Sequence, residues 1–215
     1  MVEPGGTNKK AARNVAESAG EARPFSALAL PAPRARGGKP LMEVLGSRRS
    51  TREYAARALP SQMLSDLLWA AFGINRPKTG ERTAPYWRHV MVIDVYAATA
   101  DGVRLYDPED HRLLPHMAGD IRAKTGMQDF VATAPLNLIY VAHGDRMGDI
   151  TREEQRLYAS VDAAFIGQNV YLFCSSAGLG TVFRGALDTS SLGRILQLPA
   201  GQFVTFAQTV GYPAA

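Results

Sequence analysis

Between Arg48 and Arg52 the chain sets three guanidiniums and two hydroxyls in five residues, Arg48-Arg49-Ser50-Thr51-Arg52, with Glu53 and the aromatic Tyr54 behind them. Arginine presents a planar fork of N–H donors that fits phosphate oxygens and stays charged at any working pH. Such a cluster suits a dianionic phosphate monoester and needs no glycine loop to hold it. The same run also suits a solvated basic turn, so its surroundings decide its meaning. Further on, Asn75, Arg76 and Arg82 sit in a polar, basic stretch from Ile74 to Pro85, and Gly178-Leu179-Gly180-Thr181 leads to Arg184. The loop arginines suit solvent equally well, and the glycines suit a helix C-cap and a turn.

Other chemistries find little support. Cys174 is the only cysteine, which excludes an internal disulfide and a cysteine metal cage. It lies in the apolar run Val170-Tyr171-Leu172-Phe173 and reads as a small buried hydrophobe. His89, His111, His116 and His143 lack metal-ligand spacing, and Asp107 with Asp110 reads as turn chemistry. No Gly-x-Ser-x-Gly, Walker or dinucleotide-fold fingerprint is present, so a nicotinamide nucleotide would bind as a passing substrate and not in a Rossmann pocket. The formal charge of +4 and pI near 9.3 permit an anionic ligand. Without an RNA-binding aromatic pattern or zinc-finger spacing, they do not point to nucleic acid.

The elements that must position these residues follow from periodicity and punctuation. Length and a 46% hydrophobic share allow one full core. Residues 1–24 read as a disordered tail, and residues 25–40, rich in Pro and Gly, as an extended arm. Phe25, Leu28 and Leu30 should hold that arm on a surface, of this chain or of a partner subunit. The remainder, residues 41–215, reads as one domain. Leu41 to Leu45 predicts a short helix ending at Gly46 that delivers the arginine cluster. Pro60-Ser61 opens a helix with Gly73 as its stop.

Val90 to Tyr96 and Val103 to Tyr106 predict strands around an Asp101-Gly102 turn, with a further extended piece from His111 to His116. Short helices are expected near residues 118–124 and 128–132. Leu136 to Val141 is apolar throughout and so central. Thr151 to Ala177 predicts the longest helix, with Thr151 and Glu154 as a capping box, spanning roughly 40 Å. It is apolar on almost every face between Val161 and Phe173, which predicts cover from the sheet on one side and from a second subunit on the other. Asp188 caps a last helix, Leu192 to Leu196, and Phe203 to Val210 forms the last strand.

The order of these features resembles the FMN-dependent nitroreductase superfamily from about Leu41 to Pro213. The resemblance rests on RRSTREY (Arg48–Tyr54), LLWAAFGINRP (Leu67–Pro77), RTAP (Arg82–Pro85), DFVATAPLNLIYVA (Asp129–Ala142), GQNVYL (Gly167–Leu172) and GYP (Gly211–Pro213). It implies an α+β fold, a mixed β-sheet flanked by helices, with the long helix at a homodimer interface and FMN between the subunits. It assigns Arg48 and Ser50 to the phosphate, ranks Arg49 just below them, and places Arg52 toward the pyrimidine end of the ring. Asn75 would hydrogen-bond the flavin, with Arg76 or Arg82 supplying charge near N1–O2. Backbone N–H groups of Leu179, Gly180 or Thr181 would face N5, and Arg184 would close on the phosphate. Relatives of this kind carry a basic residue after the terminal glycine, where this chain has Gly211-Tyr212-Pro213-Ala214-Ala215.

What the resemblance implies for function is a ping-pong hydride transfer from NAD(P)H to a small electron-poor acceptor such as a nitroaromatic or quinone, with no catalytic side chain. Two other readings stay open. One is a flavin-dependent dehydrogenase of azoline-type peptide rings, for which the apolar arm and residues 111–126 would shape a pocket. The other is a flavin-binding protein without catalysis. No 18-residue apolar run occurs, so no membrane span is expected. With no apolar stretch near the N-terminus, the expected compartment is the cytoplasm.

Overall fold

The β-branched and aromatic runs assemble into one seven-stranded sheet. The computed structural model describes residues 25–214; the tail expected over residues 1–24 lies outside them. Among the described residues nine strands form: β1 (Leu28–Ala29), β2 (Ile74–Arg76), β3 (Glu81–Arg82), β4 (Ile93–Thr99), β5 (Gly102–Asp107), β6 (Arg112–Ala118), β7 (Leu136–His143), β8 (Gly180–Arg184) and β9 (Gln202–Gly211). Seven make the sheet, in the order β1-β6-β5-β4-β7-β9-β8, while β2 and β3 pair as a separate hairpin. Every ladder of this sheet is antiparallel, and an isolated parallel bridge from Ser50 to Thr181 lies outside these ladders.

β7 sits between β4 and β9 with all eight residues buried. Its alternation splits the core in two. Leu136, Leu138, Tyr140 and Ala142 face a cluster with Leu67, Leu68 and Ile166, whereas Ile139 and Val141 face Leu192 and Leu196. The helices accordingly lie on both faces. α2 (Ser61–Phe72) and α4 (Arg152–Ala177) cover the first, and α5 (Thr189–Ile195) covers the second. α1 (Leu41–Ser47) rests on the C-terminal half of α4, and α3 (Phe130–Thr133) is a single turn ahead of β7.

α4 starts as its capping box dictates. The Thr151 hydroxyl accepts the Glu154 N–H, and the Glu154 carboxylate accepts the Thr151 N–H. It ends at Gly178, which is left-handed at φ 72°, a conformation glycine adopts without a Cβ penalty. Within the chain α4 is covered on one side only; Leu157, Val161 and Phe165 stay exposed, as do Leu41, Met42 and Leu45 of α1.

Several boundaries differ from the sequence reading. β4 begins at Ile93 because a 3-10 turn over Trp87–His89, with Arg88 and His89 both at positive φ, takes up the chain before it. The stretch expected as a loop after Gly73 is the β2–β3 hairpin, turning at Gly80. β6 runs on to Ala118, and Gly119 at φ 97° leaves only a 3-10 turn, Arg122–Lys124, where a helix was expected. α5 starts directly after Asp188, whose carboxylate accepts the Ser191 N–H at 2.9 Å.

The arm from Phe25 to Pro40 lies on its own subunit. β1 pairs with β6, and Ser65 donates to the Pro31 carbonyl at 2.6 Å. Arg34 is fastened to the nearly buried Asp66 through its backbone N–H and its guanidinium, at 2.7–2.8 Å.

Candidate functional site

α1 is too short to hold itself, and α4 fixes its position. The Ser47 hydroxyl donates to the Glu43 carbonyl at 2.8 Å and lies 2.8 Å from the Ser175 hydroxyl, while Ser175 reaches the Val44 carbonyl. The chain therefore leaves α1 at Arg48 in a fixed direction, alongside the start of β8. Thr51 donates its N–H to the Thr181 carbonyl at 2.9 Å. A Cβ on Gly180 would fall 2.7 Å from the Thr51 side chain, so this approach requires glycine.

Between α1, the end of α4 and β8 lies a cavity of about 430 Å³, lined among others by Lys39, Arg48, Arg49, Tyr171, Leu179 and Thr181. Its lining holds three cations and no carboxylate. Lys39 pairs with Glu43 at 3.2 Å; among the described residues, Arg48 and Arg49 have no acidic partner within 4 Å. A cleft with one sign of charge and low-dielectric walls concentrates counter-ions. The Arg48 guanidinium lies 5.1 Å from the Tyr171 ring centroid, which holds it at the cleft wall. The Tyr171 hydroxyl in turn accepts the Phe183 N–H at 3.0 Å and lies 2.8 Å from the Ser50 hydroxyl. Tyr171 thus joins arginine cluster, helix and strand.

The other expected residues separate into distinct places. Arg52 points outward. The Leu179 N–H donates to the Cys174 carbonyl at 2.8 Å, and the Thr181 hydroxyl is spent on the Thr209 carbonyl at 2.7 Å. Asn75 lines an adjoining cavity of about 400 Å³ with Trp69, Asn169 and Phe173; Lys39 borders both cavities. Arg76 is engaged inside the hairpin by Glu81, at 2.6 Å. Arg82 is buried, turned toward the Phe72 ring and the Glu109 carboxylate at 3.1 Å, with Nε and Nη1 lacking a protein partner.

Arg184 is not in the cleft. It lies inside the chain, with Nε on the Thr209 hydroxyl (3.0 Å), Nη1 on the Thr125 carbonyl (2.8 Å) and Nη2 on Asn137 Oδ1 (3.2 Å). Burial pushes its guanidinium down to about 10, yet it stays charged at neutral pH. Cys174 borders the cleft, where burial drives its thiol up, so it is no thiolate. Among the described residues no cluster of His, Cys, Asp or Glu is set to hold a metal, and no helix is long and apolar enough to cross a membrane.

Sequence reasoning missed Tyr171 and Lys39. A tyrosine inside an apolar helical run carries the only usable signal, since its hydroxyl needs a partner when half-buried. Lys39 carried none.

Comparison with known proteins gives the family. The model of the nitroreductase family matches residues 45–212. A candidate nitroreductase of Methanocaldococcus jannaschii is 33% identical over 168 residues, covering 74% of this chain and 84% of that protein. The crystal structure of a candidate nitroreductase from Ralstonia eutropha superposes with a TM-score of 0.84 at 42% identity, over 88% of this chain and 90% of that one. The NADPH:FMN oxidoreductase of Vibrio harveyi, solved with NAD+, shares the fold at 21% identity and a TM-score of 0.61, over 81% of this chain and 70% of that one. With its family model matched over most of its length and its fold shared with these structures, the chain belongs to the nitroreductase family.

Proposed function

We propose that this protein is an FMN-dependent oxidoreductase that moves hydride from NAD(P)H to an electron-poor acceptor such as a nitroaromatic or a quinone. The observation that carries this reading is the cleft at the end of α4, lined by Lys39, Arg48 and Arg49 without a carboxylate. Its donor chemistry fits a phosphate monoester, and the 179–181 segment supplies backbone at its wall. Arg48, Arg49 and Ser50 would hold the phosphate, and Asn75 in the adjoining cavity would hydrogen-bond the ring. FMN, when bound, supplies the hydride chemistry that no side chain here offers.

The chain's own residues bind and orient. Uncompensated guanidiniums attract the dianion, and the Tyr171 contacts keep Arg48 from swinging into solvent. The exposed Leu157, Val161 and Phe165 of α4, together with α1's Leu41, Met42 and Leu45, are read as the face of a homodimer that closes over these cavities. For a quinone the balance is Q + NAD(P)H + H⁺ giving QH₂ + NAD(P)⁺. For a nitro group the first two-electron step gives the nitroso compound and water.

The test is a visible spectrum of the purified protein before and after anaerobic NADPH, then NADH. Flavin bands that bleach are expected. A protein that takes up no flavin after incubation with FMN overturns the reading; bound flavin that neither donor bleaches leaves binding without this activity.

A further inference from the structure

The arm supplies a feature that the family match does not cover. The matched residues begin at 45, yet residues 34–38 of the arm form one wall of a third cavity of about 410 Å³, whose opposite wall includes Met63, Trp69 and Phe173. This cavity shares Trp69, Ala70, Phe173 and Ser176 with the one containing Asn75. The three cavities are therefore neighbours with shared wall residues, from the arginine cluster to the arm. The arm is pinned at both ends of this wall. Arg34 holds Asp66, and the Lys39 N–H donates to the Ser176 hydroxyl at 2.9 Å. Between them Gly37 and Gly38 stand at φ 102° and 89°, and a Cβ on Gly38 would meet Ser176 Oγ at 2.8 Å. The arm thus passes in contact over the end of α4.

The charges of this cavity are unequal. Arg34 is neutralised by Asp66. Burial alone would raise that carboxyl, but the Arg34 amide and guanidinium and the Gln62 amide bring it below its ordinary value. Arg36 has no acidic partner within 4 Å among the described residues. What remains in its lining is an indole, a phenyl ring and one guanidinium without an acidic partner among the described residues.

We propose that this cavity is an arm-built subsite for a flat aromatic acceptor bearing an anionic group, its ring against Trp69 and Phe173 and its anion at Arg36. The proposal deepens the oxidoreductase reading and rests on it for turnover, though not for binding. Aromatic walls accept a planar ring by stacking, and guanidinium recognises carboxylate.

The probes are 4-nitrobenzoate and its uncharged methyl ester, titrated against the full chain while quenching of tryptophan fluorescence is followed. Trp69 is in the cavity wall and Trp87 is elsewhere. The carboxylate is expected to reach half-quenching at about one-fifth the concentration of the ester, the scale of one solvent-rimmed ion pair. Arg36→Ala should erase that difference without moving the ester's midpoint, and Arg36→Glu should reverse it. Trp69→Phe should remove most of the saturable quenching. Arg156→Ala, which alters a different cavity, should leave the preference unchanged.

Equal midpoints in the unaltered protein, a preference that survives Arg36→Ala, or the same loss in Arg156→Ala would each overturn the proposal. The titration is run on flavin-free and FMN-incubated protein. Failure of the flavin reading appears in the absorption spectrum and leaves the titration standing. Failure of the subsite leaves flavin reduction by NAD(P)H intact.

Discussion

Arg48 and Arg184 are the same residue type within one strand's reach of each other in topology, and their surroundings make opposite use of it. Arg48 leaves a short helix on the α4 side, lies over Tyr171, and meets no carboxylate in a cavity with two further cations. Arg184 extends to the other face of the sheet, 3% exposed, with donors engaged by Thr209, Thr125 and Asn137. An unspent guanidinium at a cavity wall can recognise an anion. A guanidinium whose donors close a buried network holds the strand that frames the cavity. Recognition and support are therefore separable by mutation, though both motifs are arginines near β8.

The largest expected effect is on the support side. Arg184→Ala takes the guanidinium from the Thr125 carbonyl, the Thr209 hydroxyl and Asn137 Oδ1, of which Asn137 Oδ1 keeps the Thr209 hydroxyl as donor, and leaves a gap. The loss should cost about 3–5 kcal/mol of folding stability, read by urea denaturation of flavin-free protein. Arg184→Lys, with one nitrogen, should recover only part of it. If Arg184→Ala instead keeps full stability and loses FMN, the comparison is wrong and this residue belongs to the binding site. On the recognition side, Arg48→Ala should weaken FMN by about 1.5–3 kcal/mol, the range for a charge-assisted bond, in a fluorescence titration of free flavin. Flavin-free stability should change by less than about 0.5 kcal/mol. A stability loss matching the affinity loss would put Arg48 with Arg184.

The two residues also differ in how far they could be read from sequence. The run Arg48 to Arg52 advertises its chemistry by composition, and the helix expected to stop at Gly46, which runs one residue further to Ser47, locates it. Arg184 looked equally available, because nothing in Val182-Phe183-Arg184 tells which face of a short strand it joins. Its fate depends on Thr125, Asn137 and Thr209, three residues from three distant segments. Local signals of strong period or strong chemistry were legible, namely the capping box of α4, the apolar β7 and Gly73 as the stop of α2. The β2–β3 hairpin was not, since short polar strands carry little periodicity and take shape from tertiary pairing. The three neighbouring cavities were beyond sequence as well, because α1, α4 and the arm meet there only after folding.

A carboxyl sharpens the same contrast between compensated and uncompensated burial. Asp66 has Arg34, whereas among the described residues Asp162 has only the Trp87 N–H, at 2.9 Å, while burial raises its carboxyl to about 6. Its folded value thus stands above its unfolded one of 3.8, so the folded state holds the proton more tightly. The stability this confers is complete below about pH 4 and is lost as pH rises through about 6. Asp162→Asn keeps an acceptor for Trp87 and removes the titration. The difference in unfolding free energy between the two proteins should move by about 1–3 kcal/mol in favour of the variant between pH 4 and pH 7. A pH-independent difference would show that Asp162 is better compensated than its contacts suggest.

The smallest effect is expected where recognition and support meet. Tyr171 belongs to both regions, since its ring carries Arg48 and its hydroxyl accepts the Phe183 N–H one residue before Arg184. Tyr171→Phe keeps the ring and removes the hydroxyl. The Phe183 N–H then loses its partner, at a cost near 1 kcal/mol, and Ser50 loses its anchor and turns freely at the cleft mouth. Because the aromatic face under Arg48 survives, FMN affinity should fall only about two- to fivefold, less than in Arg48→Ala. Combined in a cycle with Arg48→Ala, the two affinity losses should be nearly additive, as Ser50 and Arg48 act on the ligand separately. A strong coupling would mean that the hydroxyl network positions Arg48 itself, and that strand support reaches into recognition through this one side chain.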